Sequence, residues 1–315
     1  RAANSSLRSA TARRIPSTYM AWSTITRPIC HSSLRAHTGT CRYGDGVPTV
    51  LLVRHGRTTA NASGVLAGWL PGVALDELGR EQADAVGRRL REAQVALVRV
   101  VTSPLPRCVE TAERMLAEVG TEAAGIPLAV DDRLGECRYG AWTGRPLAEL
   151  AKEPLWRVVQ DHPSAAVFPE GAGDTAGMPA ESISAMSARA VAAVREIDAA
   201  IAAEHGPGAV WVAVSHGDVI KAILADAAGT HLDLFQRVVV DPASVSVVRY
   251  TSSRPFVVRT NDIGGSLAGL VPPPASAASG DAAVGGGAGG ESVAPGDAPA
   301  AGDGREGDEP ALASG

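Results

Sequence analysis

Thr49-Val50-Leu51-Leu52-Val53-Arg54-His55-Gly56 is a short apolar run that ends in two basic side chains and a glycine, and Val210-Trp211-Val212-Ala213-Val214-Ser215-His216-Gly217 echoes it. Runs this apolar and this short read as strands buried on both faces of a sheet. In open α/β sheets ligands collect beyond the carboxyl ends of the strands. Both imidazoles are therefore expected to face one crevice.

Further strand-like runs at 97–102, 127–130 and 244–250 alternate with helical stretches. Asp76 reads as the cap of a helix running to Glu92, with Leu78, Val86 and Leu90 on one stripe. A second helix is expected from Ser103-Pro104, with Leu105, Cys108, Ala112, Met115 and Val119 spaced by three or four, and a third from Glu181 to Glu204. A fourth follows His216. The alternation predicts an α/β fold with three layers, helices covering both faces of a mostly parallel sheet. Between Trp142 and Glu181 the pattern is irregular, with short helical pieces near 147–150 and 155–160, and the Gly/Pro-rich segment Phe168–Pro179 is a candidate lid.

Composition divides the 315 residues into a head (1–47), a core (48–265) and a tail (266–315). The head holds seven arginines, no lysine and one acid, Asp45, a net charge of +6. The tail is mostly Ala, Gly, Pro and Ser with seven acids and one arginine, a net charge of −6, and both ends are expected to be disordered. The Arg- and Ser-rich head has the composition of an organelle transit peptide, but an over-extended start is the expectation here, with a cytoplasmic protein. The core is left with a net charge of −5, which gives no electrostatic reason to expect nucleic acid. No stretch reaches the roughly 18–20 apolar residues that cross a bilayer, so no membrane partner is expected. Cys30, Cys41, Cys108 and Cys137 show no metal-ligand spacing, and no disulfide is expected.

Four polar positions follow four strand-like runs: Arg54-His55, Arg107, Glu136 and His216. Arg107 falls in the first turn of a helix, where the dipole disfavours a cation by several tenths of a kcal/mol. An anion site would place it there, because backbone N–H groups and a guanidinium converge on phosphate oxygens at a helix start. Gly56 would let the backbone approach such a ligand closely. Glu136, in a loop shaped by Gly135, Gly140 and Gly144, supplies the acid that departure of a poor alkoxide requires. A metal site is disfavoured, since the adjacent arginines repel a cation and no carboxylate lies at ligand spacing. Cys108 reads as core and Cys137 lacks a base. Trp142, Trp156 and Phe168 fit a pocket wall or lid packing equally well, and His162, His205 and His231 read as surface histidines.

These residues resemble the signatures of the histidine phosphatase superfamily, also called the phosphoglycerate mutase-like family. Arg54-His55-Gly56-Arg57-Thr58-Thr59-Ala60-Asn61 is similar to its R-H-G-x-T-x-x-N signature, and Ser103-Pro104-Leu105-Pro106-Arg107 with Thr111-Ala112 to its S-P-L-x-R…T-A segment. Glu136 to Gly144 looks like its E-x-x-x-G-x-W-x-G loop, and Ser215-His216-Gly217 like its second histidine. Segments between 66 and 77 are similar to an actinobacterial branch of phosphomutases and phosphatases.

The resemblance implies a phosphoglycerate mutase-like fold and a set of roles. His55 is the nucleophile that becomes a phosphohistidine; Arg54, Arg107, His216, Asn61 and Gly217 hold the phosphoryl group; Glu136 donates a proton to the leaving group and then activates water. His216 counts with the catalytic residues, and no cofactor or metal is implied. The residues agree: neighbouring cations should keep His55 neutral and nucleophilic. The expected function is hydrolysis of a phosphate monoester of a small phosphorylated metabolite. The alternatives are a phosphomutase of the phosphoglycerate mutase type and a non-catalytic phospho-ligand module, while assembly is open, a homodimer included. Three departures stand out. Arg57 replaces a glutamate common in mutases and would attract anionic substrates; Asp218 is a second candidate acid but reads as a helix-start carboxylate; and Pro169–Pro179 is long.

Overall fold

The computed structural model describes residues 47–120, 125–206 and 208–264. The expectations placed on the head through Gly46 and on the tail 266–315 lie outside the described residues. The chain runs β1 (Thr49–Arg54), α1 (Thr59–Ala62), α2 (Glu77–Glu92), β2 (Leu97–Thr102), α3 (Pro106–Val119), β3 (Leu128–Val130), α4 (Leu147–Leu150), α5 (Pro154–Asp161), α6 (Ile183–His205), β4 (Val210–Ser215), α7 (Gly217–Ala227), β5 (Val245–Tyr250) and β6 (Pro255–Asp262).

The strands form one sheet in the order β3-β2-β4-β1-β5-β6. The first four are mutually parallel; β5 runs antiparallel to β1, and β6 to β5. Register brings Arg54 opposite Ser215 and Thr102 opposite Val214, so β1, β4 and β2 end at one level. That shared edge puts His55, His216 and Ser103 side by side.

Strand periodicity sends alternate residues to opposite faces. Val50, Leu52, Trp211 and Ala213 pack with Met186, Val194 and Ile201 of α6 and Ile220 and Ile223 of α7. Leu51, Val53, Val212 and Val214 pack with Val86 and Leu90 of α2 and Cys108, Ala112 and Met115 of α3. The result is the expected three layers. Burying one Val or Leu side chain contributes about 1.5–3 kcal/mol, whereas an exposed pair such as Arg157–Asp161 contributes about 0–1 kcal/mol. The two apolar clusters, not the ion pairs, hold the helices on the sheet.

Asp76 caps α2 by accepting from Gly79 N at 2.7 Å, as its position predicts, and Ser182 caps α6. The second helix begins later than expected, with Leu105 as its cap and Pro106 in its first turn. Ser103, three residues earlier than the helical Pro106, is used elsewhere, as described below. The irregular segment is anchored to the loop that carries Glu136: Ala141 N donates to Pro169 O at 2.9 Å and Gly140 N to Pro179 O at 3.0 Å. Tyr139, Trp142 and Phe168 are buried beneath it and meet edge to face, with Trp156 stacked on Trp142. These aromatics pack against one another.

Candidate active site

Five side chains from four parts of the sequence converge at the carboxyl edge of the sheet: Arg54, His55, Arg107, Glu136 and His216, none more than 3% exposed. The His55 and His216 rings lie 5.2 Å apart, centroid to centroid, at 61°. His55 Nδ1 is 2.7 Å from the carbonyl of Gly56. A carbonyl only accepts, so Nδ1 carries the proton and Nε2 keeps its lone pair. Burial first, then Arg107 and Arg54, hold the His55 pKa well below 6.5, so the ring is neutral.

His216 has the opposite tautomer. Arg107 Nη2 lies 3.2 Å from its Nδ1, and a guanidinium only donates, so Nδ1 accepts and Nε2–H donates to Ser103 Oγ at 2.7 Å. Burial, then Arg107, His55 and Arg54, keep His216 neutral as well. Arg107 Nη2 also donates to Gly68 O at 2.9 Å, while its Nη1 is buried with no hydrogen-bond partner among the described residues. Leaving a charged donor unpaired costs about 1–3 kcal/mol or more, which an anion in the pocket would recover. Arg54 Nη1 donates to Val240 O at 2.8 Å. Gly217 opens α7, whose N-cap His216 makes no side-chain cap bond, so the first N–H groups of this helix lie at the same place.

Glu136 accepts from Cys137 N at 2.9 Å through Oε1, and its Oε2 is 3.8 Å from His216 Nδ1. Burial first, and then the carboxylate of Asp218, push its pKa up to about 7, against the pull of Arg107, the Cys137 N–H and Arg54. A carboxyl that is part protonated at neutral pH is matched to giving and taking a proton. Its backbone carbonyl is clamped by Trp69 Nε1 at 2.7 Å and Arg189 Nη2 at 2.9 Å. Neither clamp was legible beforehand, since Trp69 and Arg189 lie far from Glu136 in the chain and carry no motif.

Several expectations change in detail. A Cβ on Gly56 would fall 2.2 Å from Gly79 O, so the close approach that requires glycine is to the start of α2 rather than to a ligand. Arg57 Nε pairs with Asp76 Oδ2 at 2.8 Å. Asn61 Oδ1 accepts from Thr58 N at 3.1 Å and Thr58 Oγ1 at 2.9 Å, a capping box at α1. Asp218 sits in the first turn of α7 as read, fully buried, and accepts from the Tyr139 hydroxyl at 2.8 Å. Cys108 is core, with Sγ 3.4 Å from His216 Nε2, and burial pushes its thiol up to about 12. Cys137 is buried too, and His162, His205 and His231 are exposed. Among the described residues no three His, Cys, Asp or Glu side chains gather as metal ligands would, and no helix is long and apolar enough to cross a membrane.

Known proteins resemble this chain in sequence and in fold. The 2,3-bisphosphoglycerate-dependent phosphoglycerate mutase of Thermobifida fusca is 37% identical over 121 residues, 36% of this chain and 48% of the mutase. The chain spans about half the length of the curated relatives it matches first. Among solved structures, Bacillus stearothermophilus YhfR superimposes with a TM-score of 0.57 at 27% identity, covering 69% of this chain and 98% of that one. A mycobacterial glucosyl-3-phosphoglycerate phosphatase does so with a TM-score of 0.55 at 26% identity, covering 68% and 98%. The sequence model of the histidine phosphatase superfamily (branch 1) matches residues 50–263, and the chain belongs to that family.

Proposed function

We propose that this protein hydrolyses a phosphate monoester of a small phosphorylated metabolite through a covalent phosphohistidine, with no metal ion. The observation that carries the reading is the buried, neutral His55, its Nδ1–H held by Gly56 O, beside the unpartnered Nη1 of Arg107 and an acid poised near neutrality. In the first step Nε2 of His55 forms a bond to phosphorus as the ester P–O bond breaks, and Glu136 gives its proton to the departing oxygen. Arg54, Arg107 and the first N–H groups of α7 take up the charge spread over the remaining phosphoryl oxygens, while His216, its Nδ1 accepting from Arg107, holds that guanidinium in place. In the second step the Glu136 carboxylate takes a proton from water, whose oxygen bonds to phosphorus as the P–N bond breaks. Inorganic phosphate leaves, and both residues return to their starting protonation states.

The phosphoglycerate mutases among the curated relatives favour a second reading, in which a bound hydroxyl rather than water receives the phosphoryl group. The two share the first step and part at the acceptor. Incubation with 3-phosphoglycerate and a bisphosphoglycerate primer separates them: phosphate release outpacing isomerisation supports hydrolysis, and the reverse supports the mutase. An acid-labile, base-stable phosphoryl adduct is expected on His55 in quenched turnover mixtures. It should be absent from His55→Ala, whose turnover is expected to fall by at least about 10⁴-fold. Activity should survive EDTA; its loss there would remove the metal-free reading.

A further inference from the structure

Behind the acid lies a buried polar set for which the two-step scheme has no use. Tyr139, three residues beyond Glu136, is fully buried, and its hydroxyl donates to Asp218 Oδ2 at 2.8 Å. Asp218 follows His216 by two residues and is itself fully buried. Lys221, one turn further along α7, is 2% exposed, with Nζ 3.5 Å from Asp218 Oδ1 and donating to Gln236 Oε1 at 3.0 Å. Burying a carboxylate, an ammonium and a phenol together is costly, and apolar side chains of similar volume would serve packing as well. The set joins two elements that the reaction needs in fixed relation: the loop holding Glu136 and the helix that opens on His216.

We infer that Asp218 is a positioning residue for Glu136, holding the acid-bearing loop against α7 through the Tyr139 hydroxyl, with Lys221 balancing its charge. This rests on the proposed role of Glu136 as the acid. The Trp69 and Arg189 bonds hold the Glu136 carbonyl, and the Tyr139–Asp218 bond holds the same loop to α7. The groups facing Glu136 are Asp218 and His216 at the start of α7 and Lys221 one turn on, Arg107 and Cys108 from α3, Arg54 from β1, and Tyr139 and Cys137 of its own loop. Asp218 is faced by Tyr139, Lys221, Arg54, Cys137 and Glu136 itself. Among these charges Asp218 acts most strongly on the acid, in the direction that keeps it protonated. Position and protonation state are thus served by one carboxylate.

The test uses the full chain with two esters: p-nitrophenyl phosphate, whose phenolate leaves without a proton, and glycerol phosphate, whose alkoxide needs one. In Tyr139→Phe a displaced acid should lower kcat for glycerol phosphate by about tenfold while kcat for the aryl ester and both KM values stay within about twofold. Equal loss on both esters would mean a structural role only and would overturn the inference. In Asp218→Asn, which removes the like charge, the alkaline limb of kcat/KM for glycerol phosphate should move down by at least about half a pH unit. A limb that does not move overturns the inference. So does a loss of about 100-fold at every pH on the alkyl ester alone, because Asp218 would then be the acid itself. Should Asp218→Asn fail to fold, Tyr139→Phe decides alone. Glu136→Gln is the control: full turnover of glycerol phosphate by that variant would end the proposed function, not the positioning role.

Discussion

At the scale of single residues, the site is governed by where protons sit. In the proposed reaction His55 must be neutral to attack, and burial beside Arg107 and Arg54 keeps it so well below pH 6.5. Glu136 must be protonated for the first step, and its pKa is about 7. For an alkyl ester kcat/KM should therefore fall about tenfold per pH unit above roughly pH 7, with the acid limb displaced below the ordinary histidine range. A bound phosphate dianion adds negative charge near Glu136, so the alkaline limb of kcat should lie higher than that of kcat/KM. Glu136→Gln is expected to lower kcat for the alkyl ester by about 10²–10⁴-fold and to abolish the limb, measured as phosphate release across pH. A limb that persists would assign it to another group. The same shift has a stability consequence. Because the folded-state pKa is raised above the unfolded value of 4.5, the favourable contribution is complete below about pH 4.5 and is lost as pH rises through about 7. Glu136→Gln should then be more stable than the parent at pH 8, by up to about 3 kcal/mol, in a denaturant titration. Equal stability at pH 8 and a gap only in acid would contradict it.

At the scale of elements, what was readable was whatever repeats locally. The apolar runs 49–53 and 210–214 and the stripes on α2, α3 and α6 emerge as strands and helices within a few residues of the positions their periodicity indicates. β6 was not anticipated: it opens on Pro255, carries Arg259, Thr260 and Asn261, and lies at the sheet edge, where alternation need not be apolar. The five converging side chains were legible because each follows a strand or opens a helix. Their supports were not, because Trp69, Arg189 and Lys221 reach the site only through the tertiary fold. Gly87 shows the limit well. It reads as an ordinary helical position, yet a Cβ there would lie 2.3 Å from Met115 O and 2.6 Å from Glu118 Cβ, where α2 crosses α3. Gly87→Ala must push the two helices apart, and overpacking of this kind costs about 1–3 kcal/mol. Thermal unfolding should show a Tm lower by about 2–4 °C per kcal/mol, with kcat of the folded fraction little changed because Met115 and Glu118 lie about two to three turns along α3 from Arg107. An unchanged Tm would mean the crossing relaxes freely.

At the scale of the whole molecule, folding assembles a pocket that is unfavourable until an anion enters it. Arg54 and Arg107 are buried together, two imidazoles are kept neutral by burial and then by these arginines, and Arg107 Nη1 has no hydrogen-bond partner among the described residues. The folded state alone thus carries a cationic site that the unfolded chain does not possess, and any tetrahedral or trigonal-bipyramidal oxyanion that fills it must stabilise the native state by mass action. At a concentration of 100 times Kd the gain is about 2.7 kcal/mol. For a domain of this size that corresponds to a Tm rise of roughly 5–10 °C. Orthovanadate, which adopts the five-coordinate shape of the transferring phosphoryl group, should act at lower concentration than inorganic phosphate. Arg107→Ala removes the unpartnered donor and should reduce both shifts to a small fraction while leaving the ligand-free Tm near or above that of the parent, since a buried charge is lost. A ligand-free Tm that drops sharply in Arg107→Ala, with the vanadate shift intact, would show that this arginine serves packing and not the anion.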